Sequence, residues 1–138
     1  MRSRAWMALA ALAALGCVPV PAAVYAQHAT LHGCDAGKIQ AWAVEADVVQ
    51  RLDHVQPYRA KGCGHEDIYY CRTNACRTPR KVILDRHASE FECAPAEVEV
   101  RSLGGGAWLA EGCGRRRTYN CGWSTGDLRC IAETDSRE

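Results

Sequence analysis

The chain has few large apolar side chains and no marked excess of either charge. Of its 138 residues, one is phenylalanine and two are methionine, and the formal net charge is +1. A surface that neutralises phosphates needs a clear basic excess, so the composition argues against nucleic acid as a partner. The sequence also lacks a C-x-x-C pair, which argues against thioredoxin-type redox chemistry. A chain with so few large side chains buries a small core and needs other means of staying folded.

The first 26 residues have the pattern of a secretory signal peptide. Arg2 and Arg4 are the only charged residues before Gln27. An apolar stretch of about 14 residues follows them, which is too short to cross a bilayer as a helix. Small or β-branched residues at the end of the segment predict cleavage after Ala26. We therefore expect a secreted or periplasmic protein.

Cys17 offers a second route of processing. It follows Ala14-Leu15-Gly16, and a small residue before a cysteine resembles the signal of bacterial lipoproteins. The position three before the cysteine is usually leucine in such signals, and here it is alanine. Lipidation of Cys17 would attach the protein to a membrane, and cleavage after Ala26 would leave it soluble. Both routes remove Cys17 from the pool of free thiols.

The remaining cysteines predict disulfide bonds. An even number of cysteines in an exported chain is what full pairing requires. Their spacing does not fit the short C-x2-4-C knuckles of structural zinc sites. The eight residues are Cys34, Cys63, Cys71, Cys76, Cys93, Cys113, Cys121 and Cys130.

A repeat divides the mature chain. With a shift of 50 positions, residues 47–71 align without a gap on residues 97–121, and both segments contain the string G-C-G-x4-Y-x-C. Such self-similarity indicates duplicated units. We predict a signal peptide at 1–26, a first cysteine-rich unit at 27–78 and a second at 79–138, with a linker at 78–81.

Hydrophobic alternation and turn residues predict an α+β fold: two tandem units, each a short helix on an antiparallel meander of three or four strands. In the second unit we expect a helix at 85–91 and strands at 97–101, 107–112, 118–123 and 128–132. In the first unit we expect strands at 48–53, 58–62, 68–72 and 75–78. Residues 36–46 fit a helix, although alternation over 42–48 leaves a strand open.

Pairing within each unit predicts one bond that closes a hairpin and one that ties the helix to the sheet. The expected hairpin bonds are Cys71–Cys76 and Cys121–Cys130, and the expected helix bonds are Cys34–Cys63 and Cys93–Cys113. Simple alternation points Cys113 away from the core, so we expect a β-bulge at the G-C-G string. Without a bulge, Cys63–Cys71 and Cys113–Cys121 are the alternative pairs.

The turn after G-C-G differs in charge between the units. The first unit has His65, Glu66 and Asp67, and the second has Arg115, Arg116 and Arg117. These loops are candidate partner contacts, although charged loop tips are usually only solvated.

No catalytic, cofactor or metal site is expected. The five histidines show no H-x-H or H-E-x-x-H spacing, and such spacings are the usual sequence sign of a metal site. Trp42, Trp108 and Trp123 are expected in the core, because other aromatic residues are scarce.

Residues 91–121 read F-x-C, V-x-V, L-G-G-G and A-x-G-C-G-x4-Y-x-C in order. This string resembles a cysteine-rich repeat of bacterial exported proteins and lipoproteins. The resemblance implies export and a compact α+β module, and it implies no catalytic residue. The leading hypothesis is a non-enzymatic binding or envelope-associated module whose partner is another protein. The alternatives are a secreted inhibitor of an extracellular enzyme and a periplasmic metal- or small-ligand-binding protein that uses His65.

Overall fold

The computed structural model describes residues 18–124 and 126–133. The described part of the chain is α+β, with three α-helices and two antiparallel sheets of four strands each. The elements in chain order are α1 (Ala22–His32), β1 (Gln40–Ala43), α2 (Val48–Leu52), β2 (Gln56–Gly62), β3 (His65–Arg72), β4 (Ala75–Arg77), α3 (Pro79–Glu90), β5 (Glu99–Gly104), β6 (Ala107–Gly112), β7 (Arg115–Ser124) and β8 (Asp127–Ala132). The predicted fold class is confirmed.

Each sheet is a meander covered by one long helix. The strands follow the order β1-β2-β3-β4 in unit 1 and β5-β6-β7-β8 in unit 2. Helix α1 packs on the first sheet and α3 packs on the second. Equivalent side chains build the two cores: Val24, Tyr58, Ala60 and Tyr69 in unit 1, and Ile83, Trp108, Ala110 and Tyr119 in unit 2.

The helix of unit 1 lies upstream of its expected position. Residues 36–46 contain a short 3-10 turn at Ala36–Lys38 and then strand β1, so the helix expected there is wrong. The strand that the alternation over 42–48 left open is correct for residues 42 and 43, which end β1. The helix that covers the sheet is α1, and it runs across the expected cleavage point between Ala26 and Gln27. The structural unit therefore begins before residue 27.

The strand expected at 48–53 is also wrong, because these residues form α2. The Asp47 side chain accepts a hydrogen bond from the backbone N–H of Gln50 (2.8 Å), and the Gln50 side chain accepts one from the N–H of Asp47 (3.0 Å). This reciprocal capping box satisfies two donors that a helix start leaves free. The string D-x-x-Q at 47–50 is a signal for a helix start that the strand prediction overlooked.

The expected linker at 78–81 is wrong as well. Thr78 precedes the helix, and Pro79 occupies the first position of α3, where its missing N–H costs nothing. The helix therefore begins six residues before the predicted residue 85. Unit 2 follows unit 1 without a flexible connection.

The G-C-G string forms a tight hairpin end in both units. Cys63 (φ 58°) and Gly64 (φ 76°) form a two-residue turn, as do Cys113 and Gly114. Positive φ at both central positions is typical of a type I′ turn. The register is continuous through these hairpins, so the bulge expected there is absent; the irregularity of sheet 2 lies at Ser102/Gly104.

The cysteines pair as expected. The four bonds are Cys34–Cys63, Cys71–Cys76, Cys93–Cys113 and Cys121–Cys130. Because Cys63 and Cys113 lie in a turn, strand alternation does not decide their direction. Each reaches the cysteine that follows the helix of its own unit.

The first glycine of the string is required by close packing. A Cβ added at Gly62 would lie 2.9 Å from the Lys38 carbonyl oxygen, and one at Gly112 would lie 2.4 Å from that of Glu97. Both distances are shorter than real Cβ contacts. The segment after the helix therefore crosses the hairpin end at a point where only glycine fits.

The duplication extends further than the ungapped alignment indicates. Cys34 and Cys63 are 29 residues apart and Cys93 and Cys113 are 20 apart, a difference of nine. The extra residues form the connection that contains α2. The expected match between residues 47–53 and 97–103 is wrong, because the first segment belongs to this insertion, whereas residues 99–103 of the second belong to β5.

The expectation that three tryptophans are buried holds for one of them. Trp108 lies in the core of unit 2, whereas Trp42 is exposed. Trp123 is half-buried where the units meet, and its indole N–H donates to Asp53 (2.7 Å).

Candidate functional site

A cluster of ionisable side chains lies between α1 and β3. We call His28, His32, Asp67, Tyr69 and Arg80 the polar centre. His28 and His32 are one helical turn apart, so both rings lie on the same face of α1. Asp67 and Tyr69 alternate on β3 and point towards that face. His28 and Asp67 are fully buried, with 0% and 1% of their surface exposed.

His28 is held between a backbone carbonyl and a hydroxyl. Its Nε2 lies 3.1 Å from the carbonyl oxygen of Gly62, and its Nδ1 lies 2.9 Å from the hydroxyl of Tyr69. A carbonyl oxygen can only accept, so Nε2 carries the proton in the neutral ring. Nδ1 then presents a lone pair and accepts from the hydroxyl.

Asp67 is contacted from three sides. One carboxylate oxygen, Oδ1, accepts from Nε of Arg80 (2.8 Å). The other, Oδ2, lies 2.6 Å from Nε2 of His32 and 3.5 Å from Nδ1 of His28. Arg80 belongs to α3, and its guanidinium also donates to the carbonyl of Val100. The second unit thus closes the polar centre of the first.

His32 connects the polar centre to the surface. Its ring stacks on that of His65 with the centroids 4.1 Å apart. Both line a cavity of about 230 Å³ together with Arg80. Burial lowers the pKa of His32 below its ordinary value, and this effect exceeds the opposing attraction of Asp67. Burial, aided by Asp67, raises the pKa of Tyr69. Both rings are therefore neutral near pH 7.

Unit 2 repeats the scaffold of this site. His87 lies 3.1 Å from the carbonyl oxygen of Gly112 and 3.4 Å from the hydroxyl of Tyr119. In the repeat, Phe91 takes the place of His32, and Arg117 takes the place of Asp67. The guanidinium of Arg117 lies over the Phe91 ring and pairs with Glu90. The histidine, glycine and tyrosine thus belong to the duplicated architecture, and the carboxylate with the second histidine is specific to unit 1.

The arrangement in unit 1 can bind a cation. Nitrogen atoms of His28 and His32 and an oxygen of Asp67 all lie within 4.8 Å of one another. The unprotonated Nδ1 of His28, which accepts from the Tyr69 hydroxyl, also lies 3.5 Å from a carboxylate oxygen of Asp67, so two acceptors are close together. A proton or a metal ion between them would remove that conflict.

A larger cavity of about 990 Å³ lies between α1 and α3. Its lining includes Leu31 and Val82, and of its charged groups Lys81 pairs with Asp85. Of the buried side-chain polar atoms in the described ranges, Thr78 Oγ1 alone lacks a hydrogen-bond partner. This cavity has no comparable convergence of ionisable groups.

The structure separates the predicted contact residues. Asp67 was expected in a loop, but it lies on β3 and is buried, because His32 and Arg80 bond both of its oxygens. His65 and Glu66 begin β3, and Arg115, Arg116 and Arg117 begin β7, because the turns are only two residues long. Their role as partner contacts stays a prediction. Cys17 lies outside the described residues.

Sequence reasoning missed His28, His32 and Arg80. Two signals could have found the histidines. The H-x3-H spacing places both rings on one helix face. The string [VI]-x3-H-x5-C-x4-[IV] occurs once from Val24 to Ile39 and again from Ile83 to Val98, which extends the repeat through the helices. Arg80 enters from the other unit, and no local pattern indicates it.

Within the described residues, no helix is both long and apolar enough to cross a membrane. Comparison with known proteins found no matching family model, no matching curated protein and no matching solved structure.

Proposed function

We propose that the protein is an exported, non-enzymatic binding module of the cell envelope, attached to a membrane through a lipid on Cys17, with the polar centre as its ligand site. Four disulfide bonds support an oxidising compartment, because such bonds persist outside the cytosol. The observation that carries the proposal is the position of α1.

Helix α1 is an integral part of unit 1. Val24 is 0% exposed and packs in the core with Tyr58 and Tyr69. Cleavage after Ala26 would remove Val24 and the first turns of the helix. Losing a buried valine exposes the apolar surface it covered and costs about 2 kcal/mol. Cleavage before Cys17 leaves α1 whole.

The segment before α1 also belongs to the fold. The hydroxyl of Tyr58 donates to the carbonyl of Pro19 (3.5 Å), and Val20 packs against the core of unit 1. These contacts lie only a few residues after Cys17. A chain that starts at Cys17 keeps them, whereas a chain that starts at Gln27 loses them.

A binding role is supported by the difference between the units. Unit 2 has the same scaffold without a buried carboxylate at the position of Asp67, so a carboxylate there is not needed to fold such a unit. Burying charged groups is costly even when they are paired. A cluster kept in one unit and absent from the other is therefore better explained by a ligand than by stability.

The proposal is tested by the mature N-terminus. We expect mass spectrometry of protein expressed with its own leader in a bacterial host to find a diacylated Cys17 as the first residue, and fractionation to recover the protein with membranes. The matched control is Cys17→Ala, which leaves all eight paired cysteines in place and should abolish both results. A mature chain that begins at Gln27 would refute the proposal.

A further inference from the structure

We propose that the polar centre of unit 1 binds one divalent transition-metal ion of the Zn²⁺ class through His28 Nδ1, His32 Nε2 and Asp67 Oδ2. This inference rests on the proposed ligand site and names the chemical class of its ligand. It does not depend on how the N-terminus is processed.

The distances are close to those of a metal site. Zinc bonds of about 2.0–2.1 Å in tetrahedral geometry place neighbouring ligand atoms about 3.3 Å apart. The Asp67 oxygen lies 3.5 Å from His28 Nδ1 and 2.6 Å from His32 Nε2. The first separation already fits, and the second requires the His32 ring and the carboxylate to move slightly apart. The nitrogen atoms of the two histidines lie within 4.8 Å of each other and would adopt the same spacing.

The tautomers agree with ligation. The carbonyl of Gly62 fixes the proton of His28 on Nε2 and leaves Nδ1 unprotonated, so its lone pair can coordinate a metal ion in exchange for the hydrogen bond from Tyr69. A ligating histidine ordinarily donates its other N–H to a carbonyl or a carboxylate in this way. His32 donates Nε2–H to Asp67 in the absence of metal. On binding, this proton would move to Nδ1 of the same ring, which remains neutral.

The ligand set indicates the class of metal. Two imidazole nitrogens and one carboxylate oxygen suit Zn²⁺, Cu²⁺ or Ni²⁺, whereas Mg²⁺ and Ca²⁺ prefer oxygen ligands alone. Arg80 balances the charge of Asp67 through the oxygen that faces away from the histidines. The positive charge of the adjacent guanidinium further disfavours Mg²⁺ and Ca²⁺, because these ions are bound mainly through electrostatic attraction to oxygen ligands. The guanidinium also orients the carboxylate.

The fourth position can open to solvent. His32, at the edge of the polar centre, lines the cavity of about 230 Å³. A water molecule or a small anion entering there could complete a tetrahedral set. Unit 2 lacks this possibility, because Phe91 and Arg117 replace two of the three ligands.

The test is a titration of the purified, disulfide-intact protein with Zn²⁺, followed by calorimetry and thermal unfolding. We expect one ion per chain, a rise in Tm that a chelator reverses, and no competition from Mg²⁺ or Ca²⁺. His32→Gln and Asp67→Asn should each weaken binding at least about tenfold, because each removes a ligand. The control His54→Asn removes an exposed histidine and should leave binding unchanged.

Binding that stays equally tight in both ligand variants would overturn the inference, as would the absence of saturable binding to the wild type. If the variants fail to fold, imidazole ¹⁵N spectra of the wild type decide the question. Zn²⁺ should shift the nitrogen signals of His28 and His32 and leave those of His87 in place. Shifts confined to other histidines would contradict the assignment. A chain that is lipidated at Cys17 but binds no metal would refute this inference and leave the anchoring proposal intact.

Discussion

The two units share one scaffold and differ in what it encloses. In both, a helix histidine donates to the glycine that precedes the hairpin turn and contacts a tyrosine of the next strand. Unit 1 adds His32 and Asp67 to this frame, whereas unit 2 has Phe91 and Arg117. The shared contacts are therefore structural, and the added ones are the candidates for function.

The second difference is the insertion in unit 1. Its helix α2 ends at Leu52, and the Asp53 that follows accepts hydrogen bonds from the Trp123 side chain (2.7 Å) and from the backbone of Gly126 (3.2 Å). Arg80 makes the reciprocal contact from unit 2 to Asp67. Contacts from each unit to the other, those of the inserted residues among them, thus fix the orientation in which Arg80 reaches Asp67.

Of the changes that test the difference between the units, removal of a disulfide bond should lower the free energy of unfolding most. Replacing Cys34 and Cys63 by alanine opens a span of 29 residues. In the loop-entropy model this lowers the free energy of unfolding by about 3–4 kcal/mol. The shorter span of Cys71–Cys76 should cost about 2 kcal/mol when it is opened in the same way.

Chemical denaturation of the two double variants measures this difference. Removing Cys93 and Cys113 is the matched control, because it opens the equivalent span of 20 residues in unit 2 and should cost about 3 kcal/mol. A larger loss from the hairpin bond would show that packing around the buried Cys71, and not the length of the span, decides the stability of this molecule.

Replacing the first glycine of each G-C-G string by alanine should lower the free energy of unfolding by a smaller amount. In Gly112→Ala, the new Cβ would meet the Glu97 carbonyl at 2.4 Å, and φ is +153°. We expect a loss of about 2 kcal/mol or more. In Gly62→Ala, the closest approach is 2.9 Å, so the loss should be smaller. Thermal unfolding of the two variants tests the order, and an equal or reversed order would mean that the backbone of unit 2 yields more easily than its geometry indicates.

The sequence predicted the parts of this fold that depend on local pattern. Alternation gave most strands of both meanders, and the four preferred cysteine pairs are those observed. The bulge on which the pairs of Cys63 and Cys113 were expected to depend is absent, because a two-residue turn and not a bulge directs these side chains. These signals are reliable here because a strand beside a tight turn allows few registers. The helices were less well predicted: α1 overlaps the signal-like segment, and α2 begins within alternating residues that also fit a strand.

The polar centre was harder to predict than the fold. His28 and Asp67 are 39 positions apart, and their contact depends on α1 lying over β3. Arg80 comes from the other unit. The ungapped alignment also compared Asp67 with Arg117 as loop tips, although both lie on strands. A gapped alignment anchored on His28/His87 and Cys34/Cys93 would have identified Phe91 as the counterpart of His32.

The smallest expected change in stability comes from the Glu90–Arg117 ion pair, which unit 2 has where unit 1 has the buried Asp67. A hydrogen bond from Arg117 lowers the pKa of Glu90 below its ordinary value. A lowered carboxyl pKa means that the pair stabilises the fold above about pH 4.5 and that this contribution is lost as the pH falls through the folded-state pKa. Because both groups are near the surface, Glu90→Gln should cost less than about 1 kcal/mol at pH 7 and less still at pH 3. Denaturation at both pH values measures this, with Asp85→Asn as the control for an exposed pair on the same helix. A loss as large at pH 3 as at pH 7 would show that Glu90 acts by packing against Arg117 and not by its charge.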